Sequence, residues 1–199
     1  MKPTVVLQTD FGHGGGGVLH GIIRQTDPAV PVYDYNHLIE PYSIRAASES
    51  LENIVPYWPA GTIFVSVVDP GVGTKRRSCV AQLKNGSYIV TPDNGALTGI
   101  FDDVAAVREI DESINRLPGS EDCYIFHGRD VYSYTAGRLA SGVIDFEGVG
   151  PEYPIEECVR FTLTNIETEL SYHFARGGIT GFDEPFGAAR IRIGNLDFQ

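Results

Sequence analysis

The sequence predicts an α/β fold: a mostly parallel sheet flanked by helices, followed by a short, truncated C-terminal β unit. Three observations point there. Strand-like and helix-like segments alternate through the first two thirds of the chain, the pattern of parallel strands joined by helical crossovers. The longest β-branched run, Thr62 to Val68, is apolar almost throughout, as expected of a central strand buried on both faces. After Pro151 the alternation stops. From Phe161 the chain becomes rich in Thr, Ile and Phe, punctuated by Gly177, Gly178, Gly181, Gly187 and Gly194.

Taken in order, Val5-Val6-Leu7 is a buried strand and the segment from Val18 to about Thr26 a helix. Val32 to Tyr35 is a second strand. Ile44, Ala47, Leu51, Ile54 and Val55 then recur at helical spacing until Pro56 and Pro59 interrupt it. After the central strand comes a hairpin, Cys79 to Lys84 and Tyr88 to Val90, turned by Asn85-Gly86. Val104 to Ile110 supplies another strand. Asp130 to Ala140 is a helix closed by Gly142. Domain boundaries fall at 1–155 for the α/β domain and 156–199 for the β-rich segment. So short a segment is too small for a core of its own, so it leans on the first domain or on a partner subunit, or stops before its domain is complete.

Bulk properties narrow the function. A formal charge of −11 argues against nucleic acid, whose phosphates require clustered Lys and Arg. No apolar run reaches the length of a membrane span, and the N-terminus enters a strand without the apolar core of a signal peptide. Cys79, Cys123 and Cys158 are odd in number and widely separated, which fits neither a disulfide framework nor a zinc site. The expectation is a cytoplasmic protein whose cysteines serve as small buried apolar residues.

Polar residues collect directly behind the predicted strands, where ligands bind in open α/β sheets. Val68 to Arg77 places Asp69 ahead of Lys75-Arg76-Arg77, and Phe126-His127-Gly128-Arg129-Asp130 supplies an imidazole. An acid, one or two guanidiniums and an imidazole brought together would orient and polarise a water. A tight turn explains the Pro and Gly residues after Val68 but not the adjacent cations. Arg76 and Arg77 alternate along an extended segment, so only one should face such a site. The spacing around Lys75 is not that of a P-loop.

Gly12 to Gly17 contains a formal G-x-G-x-x-G, with Asp34 near the position of a ribose-binding acid. Four consecutive glycines satisfy almost any glycine spacing, and the Asp10 carboxylate would repel a pyrophosphate. Asp10 is better suited to accept hydrogen bonds from a sugar diol, or else to cap a turn. Thr91 to Gly95 reads as a turn with a helix cap. Asp10, Asp34, Asp69, Asp93, His127 and Asp130 can also be grouped as a metal-dependent hydrolase set. The cations behind Asp69 and the lack of closely spaced ligand pairs oppose that.

Together these motifs resemble the S-adenosyl-L-methionine hydroxide adenosyltransferase family, hydrolases related to fluorinase and chlorinase enzymes. The likeness rests on Thr9-Asp10-Phe11-Gly12, His37 to Tyr42, Asp69 to Thr74 with Arg76-Arg77, Pro92 to Gly95, and Phe126 to Asp130, in that order. It implies cleavage of S-adenosyl-L-methionine by water to adenosine and L-methionine, without a metal or other cofactor. It maps a catalytic set onto Asp69, Arg76 and His127, assigns ribose binding to Asp10, and places Tyr42 and Phe126 along the nucleoside pocket. Asp69 and His127 would accept or relay the proton of the attacking water, while Arg76 would steady Asp69 and the developing hydroxide.

The resemblance weakens towards the end of the chain. Ile179 to Gly187 follows the family's C-terminal motif, but Ala188 replaces an asparagine that contacts adenine in the family, and Ile191-Arg192 replaces a Thr-Asn pair. The family implies a homotrimer with sites between subunits, in which Asp183 and Phe186 would reach a neighbour's ligand. Alternatives are a nucleoside-binding protein without turnover and a metal-dependent phosphoesterase.

Overall fold

The computed structural model describes residues 2–162 together with the strand residues 167–169, 174–176, 179–183 and 188–191. The chain divides into two compact units, Met1–Arg160 and Phe161–Gln199.

The first unit is built on a six-stranded sheet. Its strands are β1 (Val5–Thr9), β2 (Val32–Asn36), β3 (Ile63–Val67), β4 (Ser78–Leu83), β5 (Tyr88–Pro92) and β6 (Val104–Glu109), in the order β2-β1-β3-β5-β4-β6. β1 pairs in parallel with β2 and β3, and β3 with β5; β4 runs antiparallel between β5 and β6. The central strand falls where the Thr62–Val68 run predicts it.

Alternation within the strands sorts the core into two layers. Val5, Leu7, Ile63, Val65 and Val67 pack in one apolar cluster with Leu19 and Ile23 of α1 (Gly16–Thr26) and Ala136 and Leu139 of α4 (Tyr134–Ser141). Val6, Phe64 and Ile89 belong to another, with Leu51 of α2 (Ile44–Ile54) and with Leu97 and Ile100. Helices therefore cover both faces, and strands buried on both sides carry the near-continuous apolar runs visible in the sequence. Cys79 and Cys158 fill the second layer as small buried residues, while Cys123 is only partly buried.

Local chemistry sets the element ends. The Ser43 hydroxyl accepts from the Ala46 amide at 3.3 Å and caps α2. Gly142, at φ 77°, closes α4 in the left-handed conformation, its amide bonded to the carbonyls of Arg138 and Leu139. The helix expected from Asp130 begins differently: Gly128–Ser133 is a π-helical turn, and the α-helix starts only at Tyr134. Thr98–Asp103 forms a 3-10 segment and Glu112–Asn115 a short helix, α3, neither of which the sequence periodicity announced.

The topology positions the site. From β1 the chain moves outward to β2, then returns across β1 to β3, so the crevice beyond the carboxyl ends of β1 and β3 is a topological switch point. Asp10 follows β1 and Asp69 follows β3, at that crevice. In the second unit, β7 (Glu167–Glu169) pairs antiparallel with β8 (Phe174–Arg176), and β9 (Ile179–Asp183) with β10 (Ala188–Ile191).

Candidate active site

A cleft of about 450 Å³ opens at the switch point, within the range of small-molecule sites. Asp10, Phe11, Tyr42, Asp69, Phe126 and His127 line it. Phe11, Tyr42 and Phe126 are all exposed, so the cleft presents bare aromatic surface at its mouth and carboxylate and imidazole deeper in.

The deep end is one hydrogen-bonded cluster. Arg76 Nε donates to Asp69 Oδ1 at 2.7 Å and its Nη2 to Asp69 Oδ2, a two-pronged fork on a nearly buried carboxylate. The same Nη2 lies 3.0 Å from Nδ1 of His127, and Nη1 donates to the Ser78 hydroxyl at 2.9 Å. Tyr132, fully buried, donates to Asp69 Oδ2 at 3.1 Å and sits 3.3 Å from the Ser78 hydroxyl. Burial first, and then the neighbouring Asp69 charge, push the Tyr132 phenol well up, so it stays a donor. Arg76 is held charged against the cost of burial, chiefly by its bonds to Asp69. Asp69 and His127 line the cleft, whereas Arg76 lies behind them and ties them together.

Arg77 turns the other way. Its Nη2 donates to Glu157 at 2.8 Å and its guanidinium stacks over the Tyr153 ring at 4.5 Å. Of the two adjacent arginines, only Arg76 reaches the cluster, as alternation along an extended segment requires.

His127 has a second cationic neighbour that the motif reading missed. Arg116 Nη2 lies 3.2 Å from Nε2 of His127 and is paired with Glu112, whose other oxygen is 3.9 Å from His127 Nδ1. Burial, first, and the two guanidiniums lower the His127 pKa, against the opposing pull of Glu112 and Asp69. The i,i+4 spacing of Glu112 and Arg116 was visible in the sequence, but nothing local told that pair from a solvent-exposed one. Ser78 and Tyr132 likewise became visible only once the chain was folded.

At the mouth, Asp10 Oδ2 accepts from the Tyr42 amide at 2.9 Å. Tyr42 is the non-glycine residue with positive φ, 66°, among the described residues. Such strain is held only where the surroundings dictate it, and here the Asp10 bond does so beside the cleft. Asp10 therefore organises a turn and also lines the cleft. Arg129, paired with buried Asp130, lies over the Phe126 ring at 5.0 Å.

The remaining acids are engaged elsewhere. Asp34 Oδ1 lies 2.8 Å from Nε2 of both His20 and His37, and His37 Nδ1 is 2.8 Å from the Thr9 hydroxyl. The glycine run packs on this group: a Cβ on Gly16 would stand 2.5 Å from Asp34 Oδ1 and from His37 Nε2. Asp93 is buried, bonded to the Tyr153 hydroxyl at 3.1 Å and the Val159 amide at 2.8 Å, and Asn94 rather than Asp93 makes the turn contacts, to Val68 and Ala96. Among the described residues no three His, Cys, Asp or Glu side chains converge as metal ligands. No helix among them is long and apolar enough to cross a membrane. Phe186 and the side chain of Asp183 lie outside the described residues.

Comparison with known proteins supplies the remaining observation. Residues 5–150 match the family model described as the SAM hydroxide adenosyltransferase N-terminal domain. The chain is 35% identical over 174 residues to an (R)-S-adenosyl-L-methionine hydrolase from Salinispora tropica, covering 85% of this chain and 66% of that protein. It is 36% identical over 176 residues to a Thermus thermophilus protein of the same name, covering 84% and 68%. A crystal structure of an uncharacterised conserved protein from Thermotoga maritima superposes with a TM-score of 0.84 at 30% identity, covering 95% of this chain and 71% of that one. The chain thus spans about two thirds of the length of these curated relatives.

Proposed function

The chain belongs to the SAM hydroxide adenosyltransferase family, and on that premise we propose that it hydrolyses S-adenosyl-L-methionine to adenosine and L-methionine. The observation that carries the proposal is the Asp69–Arg76–His127 cluster at the floor of an aromatic-mouthed cleft. Water attacks C5′ opposite the C–S bond. The bond's electron pair goes to sulfur, neutral methionine leaves, and the water gives up one proton. The sulfonium is already a good leaving group, so no metal or acid is needed to expel it.

What the reaction lacks is an aligned nucleophile, and alignment is what the cluster is suited to supply. Asp69 and His127 accept or relay the proton. Arg76 fixes both and sets a cation behind the developing hydroxide. Asp10 takes the ribose hydroxyls, and Tyr42 and Phe126 flank the nucleoside. These roles assign the nucleoside and water site to residues 1–155 and leave 156–199 as the β-rich unit. The protein acts in the cytoplasm as a homotrimer with sites between subunits, Asp183 and Phe186 reaching a neighbour's ligand.

The test is incubation with S-adenosyl-L-methionine in isotopically labelled water, with and without a chelator. Adenosine labelled at its 5′ oxygen, formed equally in both, is the expected product. Absence of adenosine under conditions where the Thermus thermophilus relative forms it refutes hydrolysis. Adenosine binding without turnover would leave a nucleoside-binding protein, and loss of activity with chelator would indicate a metal-dependent hydrolase. Mass measurement in solution checks the trimer.

A further inference from the structure

We infer that Arg116, anchored by Glu112, is a positioning residue: it clamps His127 from the side opposite Arg76 and keeps the ring uncharged and fixed for the proposed hydrolysis. The inference rests on that functional reading for its consequence, but its physical content stands apart from it.

Both ring nitrogens of His127 face guanidinium nitrogens, Nδ1 that of Arg76 at 3.0 Å and Nε2 that of Arg116 at 3.2 Å. A guanidinium has five donors and no acceptor. An imidazolium carries N–H on both nitrogens, so it would oppose donor to donor on both sides and add a third positive charge to the pair. A neutral ring carries one lone pair and can accept from one of the two. The arrangement therefore selects neutral imidazole.

Arg116 is well placed to impose this. Its side chain is nearly buried, pairs with Glu112, and donates through Nη1 to the carbonyl of Cys123 at 3.0 Å. Its ring contact with Tyr124 is 5.3 Å. The backbone beneath is pinned too. Asn115 Nδ2 donates to the Gly148 and Val149 carbonyls at 3.0 and 2.9 Å, and the Leu117 amide donates to Asp130 at 2.7 Å. The charged and titratable groups facing His127 are Arg76 and Asp69 beyond β3, Glu112 and Arg116 at α3, and Tyr132 of the π-helical turn, with its ring 6.3 Å away. The two cations act to lower the imidazole pKa and the two carboxylates to raise it; with burial, the net direction is down.

The functional consequence is a relay instead of a sink. A neutral ring takes the proton released when water attacks C5′ on the nitrogen that bears its lone pair, which gives up its guanidinium contact to do so. Once protonated, it opposes both guanidiniums and passes the proton on. The step conserves charge: the proton leaves water, resides on the ring, and departs to solvent as methionine and adenosine are released.

The experiment follows the His127 ring directly by NMR, in the full chain with labelled histidine, its signal assigned by loss in His127→Gln. In the native protein the ring should be neutral at pH 7 and titrate below the ordinary histidine range. Arg116→Gln should move the midpoint upward by about one pH unit. Glu112→Gln should move it downward, because Cys123 still holds Arg116. Arg116→Lys keeps the charge and should leave the midpoint nearer to the native one than Arg116→Gln does. The acid limb of kcat/KM for adenosine release should move with the midpoint. An unchanged midpoint in Arg116→Gln overturns the inference; should that variant not fold, an unchanged or raised midpoint in Glu112→Gln does so. Midpoints that shift as expected in a protein forming no adenosine leave the clamp standing and remove the hydrolase reading alone.

Discussion

Arg76 grips Asp69 with two parallel bonds, through Nε at 2.7 Å and through Nη2, and the same Nη2 reaches His127 at 3.0 Å. One rigid fork therefore sets the orientation of the carboxylate and the imidazole at once. Lysine carries the charge but not the fork. Arg76→Lys should retain the fold, shown by an unchanged circular dichroism spectrum, and lose about 10²-fold or more in kcat/KM for adenosine release. Activity within a few-fold of native would show that charge alone suffices there.

Tyr132 tests the support behind that fork. Its hydroxyl donates to Asp69 Oδ2 at 3.1 Å from a fully buried position. Tyr132→Phe keeps the ring's packing and removes the hydroxyl's bonds to Asp69 and Ser78. A loss of about 0.5–1.5 kcal/mol in urea unfolding is expected, with kcat reduced far less than in Arg76→Lys. A kcat loss equal to that of the lysine variant would promote the phenol to a direct chemical role.

The glycine run invites a substitution that a nucleotide-binding loop would answer differently. Two of its positions are tight: Gly15, where a Cβ would meet that of Phe11, and Gly16, where a methyl group would stand 2.5 Å from both Asp34 Oδ1 and His37 Nε2. Gly16→Ala should therefore split that pair and cost about 1–3 kcal/mol. Gly17, where an added Cβ meets nothing within 4 Å, should accept alanine with little change in melting temperature. Equal tolerance at both positions would contradict the packing account.

Asp93 offers a pH-dependent test of stability. Burial raises its pKa, against the lowering effect of its bonds to Val159 and Tyr153. The folded carboxyl then holds its proton to higher pH than the unfolded one, so its contribution to stability falls as pH rises from the ordinary Asp range through the raised value. Asp93→Asn can retain both bonds without the charge. Its melting temperature relative to native should improve as pH is raised from about 4 to 8. Asp93→Ala leaves the Val159 amide unpaired and should cost about 1–3 kcal/mol at the acid end of that range, where native Asp93 is still protonated. An asparagine variant whose offset is flat with pH would refute the raised pKa.

Much of the fold was written locally. The apolar runs of β1 and β3, the helical spacing from Ile44 to Ile54, the Asn85-Gly86 hairpin and Gly142 all act over a few residues, so periodicity and turn chemistry place them. Asp69 was also within reach, because it follows the apolar run of β3 at the switch point. The apolar Tyr124-Ile125-Phe126 ahead of His127 forms no strand and is exposed, so its meeting with Asp69 and Arg76 was set by the fold. Nor was the π-helical turn at Gly128–Ser133 within reach. It is accompanied by the Ser133 hydroxyl donating to the Gly128 carbonyl at 2.8 Å and by the Leu117 amide donating to the Asp130 carbonyl, contacts no helical period encodes.

By itself, then, the sequence determined the α/β class, the strand order's raw material and the residue types at the cleft, since those follow from patterns spanning a turn or a strand. Tertiary structure decided which charges meet. Asp34 resembled a ribose acid and instead pairs with two histidines. Arg116 carried no motif and stands against His127. Electrostatic partners are fixed by distances of a few ångströms between segments far apart in the chain. Only the assembled sheet and its loops set those distances.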